Sequence, residues 1–300
     1  MKKLISIVIP AYNEEEVVPE LTKRLSKFMD TFTTYNFEVV VVEHGSKDKT
    51  LSELIKAHKK DKRIKILKLA KNEGCDGGII AGLNFASGDA AVIMMADLQE
   101  PPELIPQFTE KWEEGYDIVY GIVKKRKKVP FLKIIGSLAF YRLMDFTTKG
   151  SLPENVSDFR LLDRRVYSVI TKIPEHNQFF RGIAVWVGFK QIGIPFDRPE
   201  RFAGKSKADY VTMFRVALNG IYSFSYITLL SPWMFGGFFG IATLIAFAFL
   251  RLELAVVLFG FTLICIILGI QNEYIKRIMD ETRNRPKFIV DKTFGLSAKK

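Results

Sequence analysis

Cysteine is scarce in this chain, which contains only Cys75 and Cys265 among its 300 residues. The two lie far apart, and one falls in a long apolar run, so neither a disulfide nor a zinc site is indicated. Scarce cysteine agrees with a reducing cytosol. The sequence also lacks internal repeats and low-complexity segments, which excludes a repeat array.

Charge is missing from two long stretches, "PWMFGGFFGIATLIAFAFL" (232–250) and "LAVVLFGFTLICIILGI" (254–270), which are separated only by "RLE". Each is about long enough to cross a hydrocarbon core of roughly 30 Å as a helix. A buried hairpin in a soluble protein is the alternative, but two adjacent uncharged runs disfavour it. We therefore predict two transmembrane helices, at about 229–250 and 254–272, within a membrane segment 227–274.

Basic residues on both sides of these runs predict the orientation in the membrane. "RPERFAGKSK" precedes the runs and "KRIMDETRNRPK" follows them, whereas the turn has one Arg and one Glu. The positive-inside rule places both flanks in the cytoplasm, including a basic tail at 275–300. We therefore expect a multi-pass protein of the inner (cytoplasmic) membrane. Residues 208–226 suit an interfacial amphipathic helix, although an ordinary packed helix fits nearly as well.

The N-terminal residues and the net charge bear on two further questions: whether the chain has a signal peptide and whether it binds nucleic acid. "MKKLISIVIPAYNEEE" has an apolar stretch of only about six residues, which favours a first β-strand over a signal peptide. The net charge of +11 raises nucleic acid as a partner. Lys and Arg are instead concentrated in "KKRKK" (124–128) and beside the apolar runs. That distribution favours anionic headgroups or phosphate-bearing ligands near a bilayer, and we predict no nucleic-acid partner.

Strand and helix patterns alternate along the first third of the chain. "LISIVIPAY", "FEVVVVE", "IKILKLA" and "AAVIMMAD" predict strands, and "EEVVPELTKRLSKFMDTF", "TLSELIKAHKK" and "DGGIIAGLNFAS" predict helices. The alternation predicts an α/β, Rossmann-like domain at 1–207, with a mostly parallel sheet covered on both faces. Ligands collect at the carboxyl ends of such strands. The informative loops are then "PAYNEEE", "EHGSKDKT", "KNEGCDGG" and "ADLQEPPE".

The loop after the fourth predicted strand carries residues suited to a metal ion. Alternate residues of an extended segment share a side, so Met95, Asp97 and Gln99 would point the same way if the strand geometry continues through them. Asp97 and Gln99 both present oxygen, which suits a hard cation such as Mg²⁺ that takes further ligands from water and phosphate. Such a cation would neutralise a departing diphosphate. The alternative is that Asp97 is an acid at the N-terminus of the helix that follows.

The loop after the second predicted strand also has two interpretations. Gly45 and Ser46 offer a turn whose backbone amides could face a ligand, while Asp48 is equally well explained as a helix cap. His44 is a lone histidine, for which we predict no metal role. Glu43, at the end of the strand, can accept hydrogen bonds from a ribose or a base.

Six segments, in order, resemble the membrane-anchored polyprenyl-phosphate glycosyltransferases of glycosyltransferase family 2: "SIVIPAYNEEEVVPEL", "VVEHGSKDKT", "KNEGCDGGIIAGLNFASGDAAVIMMADLQEPPELI", "SDFRLLDRRV", "FFRGIAVWVGFKQIGIPFDRPERFAGKSK" and "NEYIKRIMDETRNRPKFIV". These enzymes include the bacterial undecaprenyl-phosphate (bactoprenol) glucosyltransferases, relatives of dolichol-phosphate mannose synthase. The resemblance extends over about residues 4–291 and includes the apolar runs.

The resemblance implies a GT-A catalytic domain in the cytoplasm and an inverting transfer of one sugar from a nucleotide sugar to undecaprenyl phosphate. It also implies Mg²⁺ or Mn²⁺ as cofactor, and assembly as a homotetramer. UDP-glucose is the commonest donor in the family, but GDP-mannose, UDP-galactose and UDP-N-acetylglucosamine remain open.

The resemblance further implies roles for particular residues. The nucleotide-sugar pocket would contain Pro10, Ala11, Tyr12, Asn13, Glu14, Glu43, Asp97, Arg201 and Lys205. Of these, Arg201 and Lys205 match a basic loop that closes over the diphosphate. Asp97 and Gln99 would hold the metal, and Asp158 matches a proposed catalytic base or acceptor-side group. The acceptor phosphate is expected at Lys124, Arg126 and Lys133.

Two departures from the family pattern fall on the nucleotide and metal side. The family commonly has Asp-Asp-Gly-Ser where this chain has Glu43-His44-Gly45-Ser46, and Asp-Ala-Asp-Leu-Gln where this chain begins with Met95. A second hypothesis is therefore a catalytically degenerate member that acts as a nucleotide-sugar-binding or partner membrane protein. A processive polysaccharide synthase is disfavoured, because the sequence has one hairpin and no Gln-x-x-Arg-Trp stretch.

The chemistry of the implied reaction ranks the candidate residues. A lipid phosphate is already anionic near neutral pH, so it can attack an anomeric carbon with little help from a base. The enzyme must mainly position two anions and absorb the charge of the leaving diphosphate. We therefore favour Asp97 over Asp158 as the essential group, since Asp158 could equally orient Arg160 or Arg164 through an ion pair.

Overall fold

The computed structural model describes residues 2–124, 156–175, 179–200, 202, 253–282 and 286–296. Several sequence predictions fall on other residues and stay predictions: the interfacial helix at 208–226, the membrane span at 229–250, and Arg126, Lys133, Arg201 and Lys205.

The described residues contain eight strands and seven α-helices. The strands are β1 (Leu4–Ala11), β2 (Asn36–Glu43), β3 (Ile64–Leu69), β4 (Ala90–Ile93), β5 (Ile118–Val123), β6 (Val156–Asp163), β7 (Gln191–Phe196) and β8 (Val290–Phe294). The helices are α1 (Val18–Thr31), α2 (Thr50–Lys60), α3 (Gly74–Phe85), α4 (Ile105–Glu113), α5 (Arg164–Ile170), α6 (Phe180–Trp186) and α7 (Glu253–Thr282). The alternation predicted from β1 to β4 is confirmed.

All eight strands join one sheet in the order β7-β5-β6-β4-β1-β2-β3-β8. β4, β1, β2 and β3 pair in parallel, whereas β6 and β8 are antiparallel to their neighbours. The mostly parallel sheet is therefore confirmed. Because β6 runs against β4, its first residues lie beside the carboxyl end of β4, where ligands collect in such sheets.

Both faces of the sheet are buried, because the central strands are almost wholly apolar. Ile7 of β1 packs on the face covered by α1, α2 and α4. Val8, which points the opposite way, packs on the face covered by α3, α5 and α6. Burial of both faces explains why these strands have continuous apolar runs instead of alternation.

The segment after α7 returns to the edge of the sheet. β8 pairs antiparallel with β3, with Leu67 opposite Thr293. Lys68 Nζ lies 2.5 Å from Asp291 Oδ2, which adds an ion pair to the ladder. The sequence predicted only a basic tail at 275–300, because "VDKTF" is short and half polar. The tail instead contributes a strand to the same sheet as the N-terminal part.

The second predicted membrane span, 254–272, lies within the 30-residue helix α7, which extends to Thr282. Among the residues that the structure describes, no helix has both the length and the apolar character needed to cross a bilayer. The membrane hairpin therefore stays a prediction.

The buried carboxylate of Glu38, in β2, connects β1, β3 and the segment before β4. It is 3% exposed and accepts hydrogen bonds from Ser6 Oγ at 2.5 Å and from the Ser87 backbone N–H at 2.7 Å. Lys65 Nζ lies 2.6 Å from its other oxygen. Burial alone would raise the pKa of Glu38, but Lys65, Ser6 and Ser87 hold it below its ordinary value of 4.5.

We expect Glu38→Gln to destabilise the protein at neutral pH by about 2 kcal/mol, because a buried network loses its ionised acceptor. A depressed pKa contributes stability above the unfolded value and loses it as the pH falls through the folded value. The difference in unfolding free energy between wild type and variant should therefore shrink below pH 4.5. Denaturant unfolding across that range checks it, with the exposed Glu110→Gln as control. A constant difference would contradict the prediction.

Candidate active site

The loops after β1 and β2 are fastened together by reciprocal hydrogen bonds. The Asn13 N–H donates to Ser46 Oγ at 3.0 Å, and the Lys47 N–H donates to Asn13 Oδ1 at 2.8 Å. The Glu14 N–H donates to Thr50 Oγ1 at 2.7 Å. This β1–β2 clasp (Asn13, Glu14, Ser46, Lys47 and Thr50) holds the carboxyl ends of two neighbouring strands as one unit. The structure thus joins Asn13 and Glu14, two of the residues predicted for the nucleotide pocket, to the loop after β2.

Tyr12 and His44 form a stacked pair beside the clasp, with ring centroids 5.5 Å apart. His44 Nδ1 lies 2.9 Å from Asn72 Oδ1 in the loop after β3. The imidazole also lies against the first turns of α3, since a Cβ on Gly78 would be 3.5 Å from its Cδ2 and 3.0 Å from Pro10 Cβ. Contacts from three loops therefore fix the aromatic pair where a planar base could pack.

Glu43 is buried, and its Oε1 accepts a hydrogen bond from the Ser46 N–H at 2.5 Å. The Lys47 N–H is engaged by Asn13. The hypothesis that the backbone amides of Gly45 and Ser46 face a ligand is therefore wrong for Ser46, because the Glu43 side chain already accepts from its N–H. Glu43 stands opposite Ala11 in the β1–β2 register, on the side predicted to hold the nucleotide.

Asn13 has a φ of +52°, a left-handed conformation that asparagine adopts more readily than most residues. We expect Asn13→Ala to cost about 2 kcal/mol, because it loses both this tolerance and the hydrogen bond to Lys47. Asn13→Gly should lose only the hydrogen bond, and Asn13→Asp should stay near wild type. Thermal unfolding of the three variants checks this ranking of stabilities. Equal losses in Asn13→Gly and Asn13→Ala would contradict the contribution of the left-handed backbone conformation.

The turn after β4 is buried and backbone-strained. Asp97 is 6% exposed, and its Oδ1 accepts from the Gln99 N–H at 3.2 Å. Leu98 between them has a φ of +59°, which non-glycine residues rarely adopt and which often marks functional turns. Gln99 Nε2 donates to the Pro199 carbonyl at 3.1 Å, and the Phe202 N–H donates to the Asp97 carbonyl at 3.4 Å. The segment after β7 therefore lies against this turn.

Met95 stands where the family pattern has an aspartate, and its thioether contacts the thiol of Cys75. Its Sδ lies 3.5 Å from Cys75 Sγ, and its N–H donates to Glu100 Oε2 at 2.7 Å. Glu100 also accepts from the Ser157 hydroxyl of β6. Burial raises the pKa of Glu100 to about 7, against these two hydrogen bonds. Glu100 thus connects the β4 turn to β6.

Asp97 and Gln99 offer oxygen ligands from one turn. No cluster of three or more His, Cys, Asp or Glu side chains that could hold a metal occurs among the described residues. The donor set therefore fits a hard cation that takes its remaining ligands from water and phosphate, and it does not fit an all-protein metal site.

Asp158 forms a two-point ion pair with Arg181 of α6. Arg181 Nε and Nη2 lie 2.6 and 2.5 Å from the two carboxylate oxygens. The prediction that Asp158 forms an ion pair with Arg160 or Arg164 is therefore wrong, because Arg181 makes these hydrogen bonds. Arg164 Nε donates instead to the Gly88 carbonyl at 2.9 Å. Arg160 lies two residues from Asp158, on the same face of β6.

Two further charged residues surround this pair. Arg160 is 2% exposed, its Nη2 donates to the Ser157 carbonyl at 3.1 Å, and its guanidinium lies 5.2 Å from the Phe180 ring. Burial lowers the pKa of Arg160 to about 10. Burial and then the charge of Asp158 raise the pKa of Asp76, in the first turn of α3, to about 7. β6, α3 and α6 thus meet in one charged cluster.

Lys124 is exposed at the end of β5, and its Nζ lies 4.0 Å from Asp197 Oδ2. Its backbone N–H donates to the Phe196 carbonyl at 3.0 Å. The acceptor-phosphate role of Lys124 stays a prediction, since its two predicted companions lie outside the described residues.

Similarity to known proteins identifies the family. Residues 6–171 match the model for glycosyl transferase family 2. The chain belongs to glycosyltransferase family 2. It is 39% identical to the uncharacterized glycosyltransferase YkcC of Bacillus subtilis, covering 98% of this chain and 95% of that protein. It is 36% identical to the SfII prophage-derived bactoprenol glucosyl transferase of Shigella flexneri, covering 96% of this chain and 98% of that protein.

Solved structures support the fold of this family 2 enzyme. Glucosyl-3-phosphoglycerate synthase from Mycobacterium tuberculosis, in complex with Mn²⁺, uridine diphosphate and glucosyl-3-phosphoglycerate, aligns with a TM-score of 0.51. The alignment covers 76% of this chain and 79% of that one at 18% identity. The likeness confirms the GT-A fold predicted from the sequence, and the family confirms that the chain is a glycosyltransferase.

Three charged residues of this family 2 site were not predicted from the sequence: Asp76, Glu100 and Arg181. Arg181 lies 23 residues from Asp158, so no local pattern connects the two. The alternation of β6 was an available signal, because it places Asp158 and Arg160 on one face. Glu100 was visible in "ADLQEPPE" but had no sequence feature to separate it from an exposed helix-start acid.

Proposed function

We propose that this enzyme transfers a single sugar, with inversion, from a nucleotide sugar to a polyprenyl phosphate at the cytoplasmic face of the membrane. The observation that carries the proposal is the nearly full-length similarity to bactoprenol glucosyl transferases. UDP-glucose is the preferred donor on that basis, and undecaprenyl phosphate is the acceptor. The product would supply a sugar for modifying an envelope glycan.

The geometry of the site supports donor binding along the carboxyl ends of β4, β1 and β2. The Tyr12–His44 pair offers a surface for the base, and Glu43 lies beside it as a hydrogen-bond acceptor. Asp97 follows β4, the other neighbour of β1, so the diphosphate would lie across the β4 turn. Base and diphosphate thus have separate contacts on adjacent strands.

Asp97 and Gln99 would hold Mg²⁺ or Mn²⁺ together with the donor diphosphate. When bound, the cation supplies charge neutralisation for the leaving group. A solved structure of similar fold, in complex with Mn²⁺ and uridine diphosphate, supports a divalent cation beside the nucleotide. The chain itself contributes orientation: the strained turn at Leu98 and its contacts with Pro199 and Phe202 fix the direction of the carboxylate.

A membrane hairpin would bring the lipid acceptor to this site. The uncharged run 254–270 lies in α7, and several of its side chains are about half exposed: Val257, Ile264, Ile266 and Leu268. Exposed aliphatic groups on a long helix suit contact with lipid. β8 follows α7 and joins the sheet, which agrees with both flanks lying on the side of the catalytic domain. The homotetramer stays a prediction.

A panel of radiolabelled nucleotide sugars tests the function. Membranes containing the full chain are incubated with each donor and undecaprenyl phosphate, with and without Mg²⁺ or Mn²⁺. We expect a lipid-linked sugar with one donor, and we expect that donor to be UDP-glucose. Removal of the divalent cation by a chelator should abolish the product. Absence of product with every common donor would contradict the proposal.

A degenerate, non-catalytic partner protein is the second candidate, because Met95 packs against Cys75 where the family pattern has an aspartate. Calorimetry separates the two. Nucleotide-sugar binding without turnover would favour the non-catalytic partner protein. Turnover with the same donor would exclude that candidate function.

A further inference from the structure

The turn after β4 is closed by a carboxylate at its own far end. Glu100 Oε2 accepts a hydrogen bond from the Met95 N–H at 2.7 Å, although the two residues are five positions apart. Asp97 and Gln99, the two oxygen ligands predicted for the cation, lie between them in the chain. The residues from Met95 to Glu100 therefore form a loop whose first and last members are joined, and both candidate ligands belong to it.

The other oxygen of Glu100 joins this loop to the sheet. Glu100 Oε1 accepts from the Ser157 hydroxyl of β6, and Ser157 Oγ in turn accepts from the Phe159 N–H at 3.3 Å. β6 runs antiparallel to β4, with Ile93 opposite Arg160, so the start of β6 lies alongside the chain that leaves β4. The loop is thus attached to a neighbouring strand through one side chain.

Glu100 is suited to supporting the turn and poorly suited to binding a ligand itself. It is 1% exposed, and Ser157 beside it is buried as well. Its two oxygens accept from two protein donors, the Met95 N–H and the Ser157 hydroxyl. A cation bound by Glu100 would have to compete with both hydrogen bonds in a position closed to solvent.

The backbone of the turn requires support from its surroundings. Leu98, between the two candidate ligands, has a φ of +59°, and a non-glycine residue keeps such a conformation only where neighbouring structure holds it. The hydrogen bond from the Gln99 N–H to Asp97 Oδ1, at 3.2 Å, is at the long end of the usual range. A small hard cation tolerates little error in the positions of its oxygen ligands. Contacts that fix this loop from outside therefore bear directly on cation binding.

We propose that Glu100 is a positioning residue of the donor site, which holds Asp97 and Gln99 where a divalent cation and the donor diphosphate meet them. The inference rests on the proposed function, which supplies the cation and the diphosphate. Groups that orient metal ligands typically contribute about 10- to 100-fold to metal affinity or activity. Glu100 acts through its two hydrogen bonds, so an amide of the same shape should replace it.

Glu38 offers a matched comparison at the other end of the sheet. It is also a buried carboxylate that accepts from a serine hydroxyl, Ser6 Oγ, and from a backbone N–H, that of Ser87. It lies near the amino ends of β1, β2 and β4, whereas Glu100 lies beyond the carboxyl end of β4. Loss of either carboxylate should destabilise the fold, but of the two only Glu100 should affect cation binding.

Calorimetry of the purified full chain tests the proposal, with UDP titrated in Mn²⁺ and again in EDTA. We expect Glu100→Ala to weaken UDP binding in Mn²⁺ by about 10- to 100-fold and to change binding in EDTA by less than about twofold. Glu100→Gln should stay within about threefold of wild type, because its carbonyl oxygen can accept from Met95 and its amide can donate to the Ser157 oxygen. Ser157→Ala, which removes the contact with β6 alone, should give an intermediate loss.

The matched control is Glu38→Ala, which should lower the melting temperature and leave UDP binding in Mn²⁺ unchanged. The Mn²⁺ concentration for half-maximal transfer to undecaprenyl phosphate provides a second measurement, and it should rise in the same order as the dissociation constants. Thermal unfolding identifies any variant that fails to fold. If Glu100→Ala does not fold, Ser157→Ala carries the test.

Three results would overturn the inference. Unchanged UDP binding in Mn²⁺ in the folded Glu100→Ala and Ser157→Ala variants removes Glu100 from the donor site. Equal losses in Glu100→Gln and Glu100→Ala would mean that the charge of Glu100 acts on the cation, so that it is not a positioning residue. A loss of the same size in Glu38→Ala would assign the effect to general destabilisation. Wild-type binding of UDP that is equal in Mn²⁺ and in EDTA would instead refute the cation site of the proposed function, and the inference with it.

Discussion

Replacing Asp97 with alanine is expected to lower glycosyl transfer by about 10²- to 10³-fold while the fold is retained. We expect this loss because no neighbouring side chain of the β4 turn can replace the Asp97 carboxylate. Met95 is turned toward Cys75, and Glu100 is engaged by the Met95 N–H and by Ser157. Asp97 is thus the carboxylate of the β4 turn that we expect to contact the cation and the diphosphate.

Transfer to undecaprenyl phosphate at a range of Mg²⁺ or Mn²⁺ concentrations measures this effect. Asp97→Asn keeps the acceptor for the Gln99 N–H, so it should remain folded and show the same loss with a weaker dependence on the cation. Asp30→Ala, which removes a largely exposed aspartate of α1, is the matched control and should keep wild-type activity. Full activity of Asp97→Ala would remove Asp97 from the site.

The sheet was predictable from the sequence because its determinants are local. β-branched runs such as "SIVIP" and "EVVVV" are continuous, and amphipathic helices separate them. β8 was not predictable in the same way. Its pairing with β3 joins residues more than 200 positions apart in the chain, as Lys68 and Asp291 show. The short segment has too few apolar residues to indicate a strand before the edge of β3 is known.

The candidate site was predictable where chemistry follows a strand directly, and much less so where it depends on side-chain direction. Tyr12 and Asn13 follow β1, Glu43 ends β2 and Asp97 follows β4, and the sheet brings them to one edge. The partner of Asp158 depended instead on how α6 packs over β6, which no spacing rule gives. The amide of Ser46 was suited to a ligand on sequence grounds, but the Glu43 side chain accepts from it.

Gly88→Ala is expected to be strongly destabilising, because Gly88 lies where the backbone of β1 meets the segment that leads into β4. A Cβ at this position would lie 2.6 Å from the Ala90 carbonyl oxygen, 2.6 Å from the Ser6 nitrogen and 2.8 Å from the Leu4 carbonyl oxygen. Backbone atoms of β1 and β4 cannot move aside without breaking the parallel ladder between those strands. Overpacking typically costs about 1 to 3 kcal/mol, and we expect about 3 kcal/mol here because the contacts are with backbone atoms.

Thermal unfolding should show this cost as a fall in the melting temperature of about 6 to 12 °C. Gly115→Ala provides the comparison, because Gly115 has a φ of +91° but no atom of the described residues lies within 4 Å of the place its Cβ would take. That variant should lose about 1 kcal/mol through backbone conformation alone. The two substitutions add the same methyl group, so the larger loss at Gly88 measures the close approach of β1 and β4. Equal losses at the two positions would mean that the backbone at the amino ends of β1 and β4 can yield to the added methyl group.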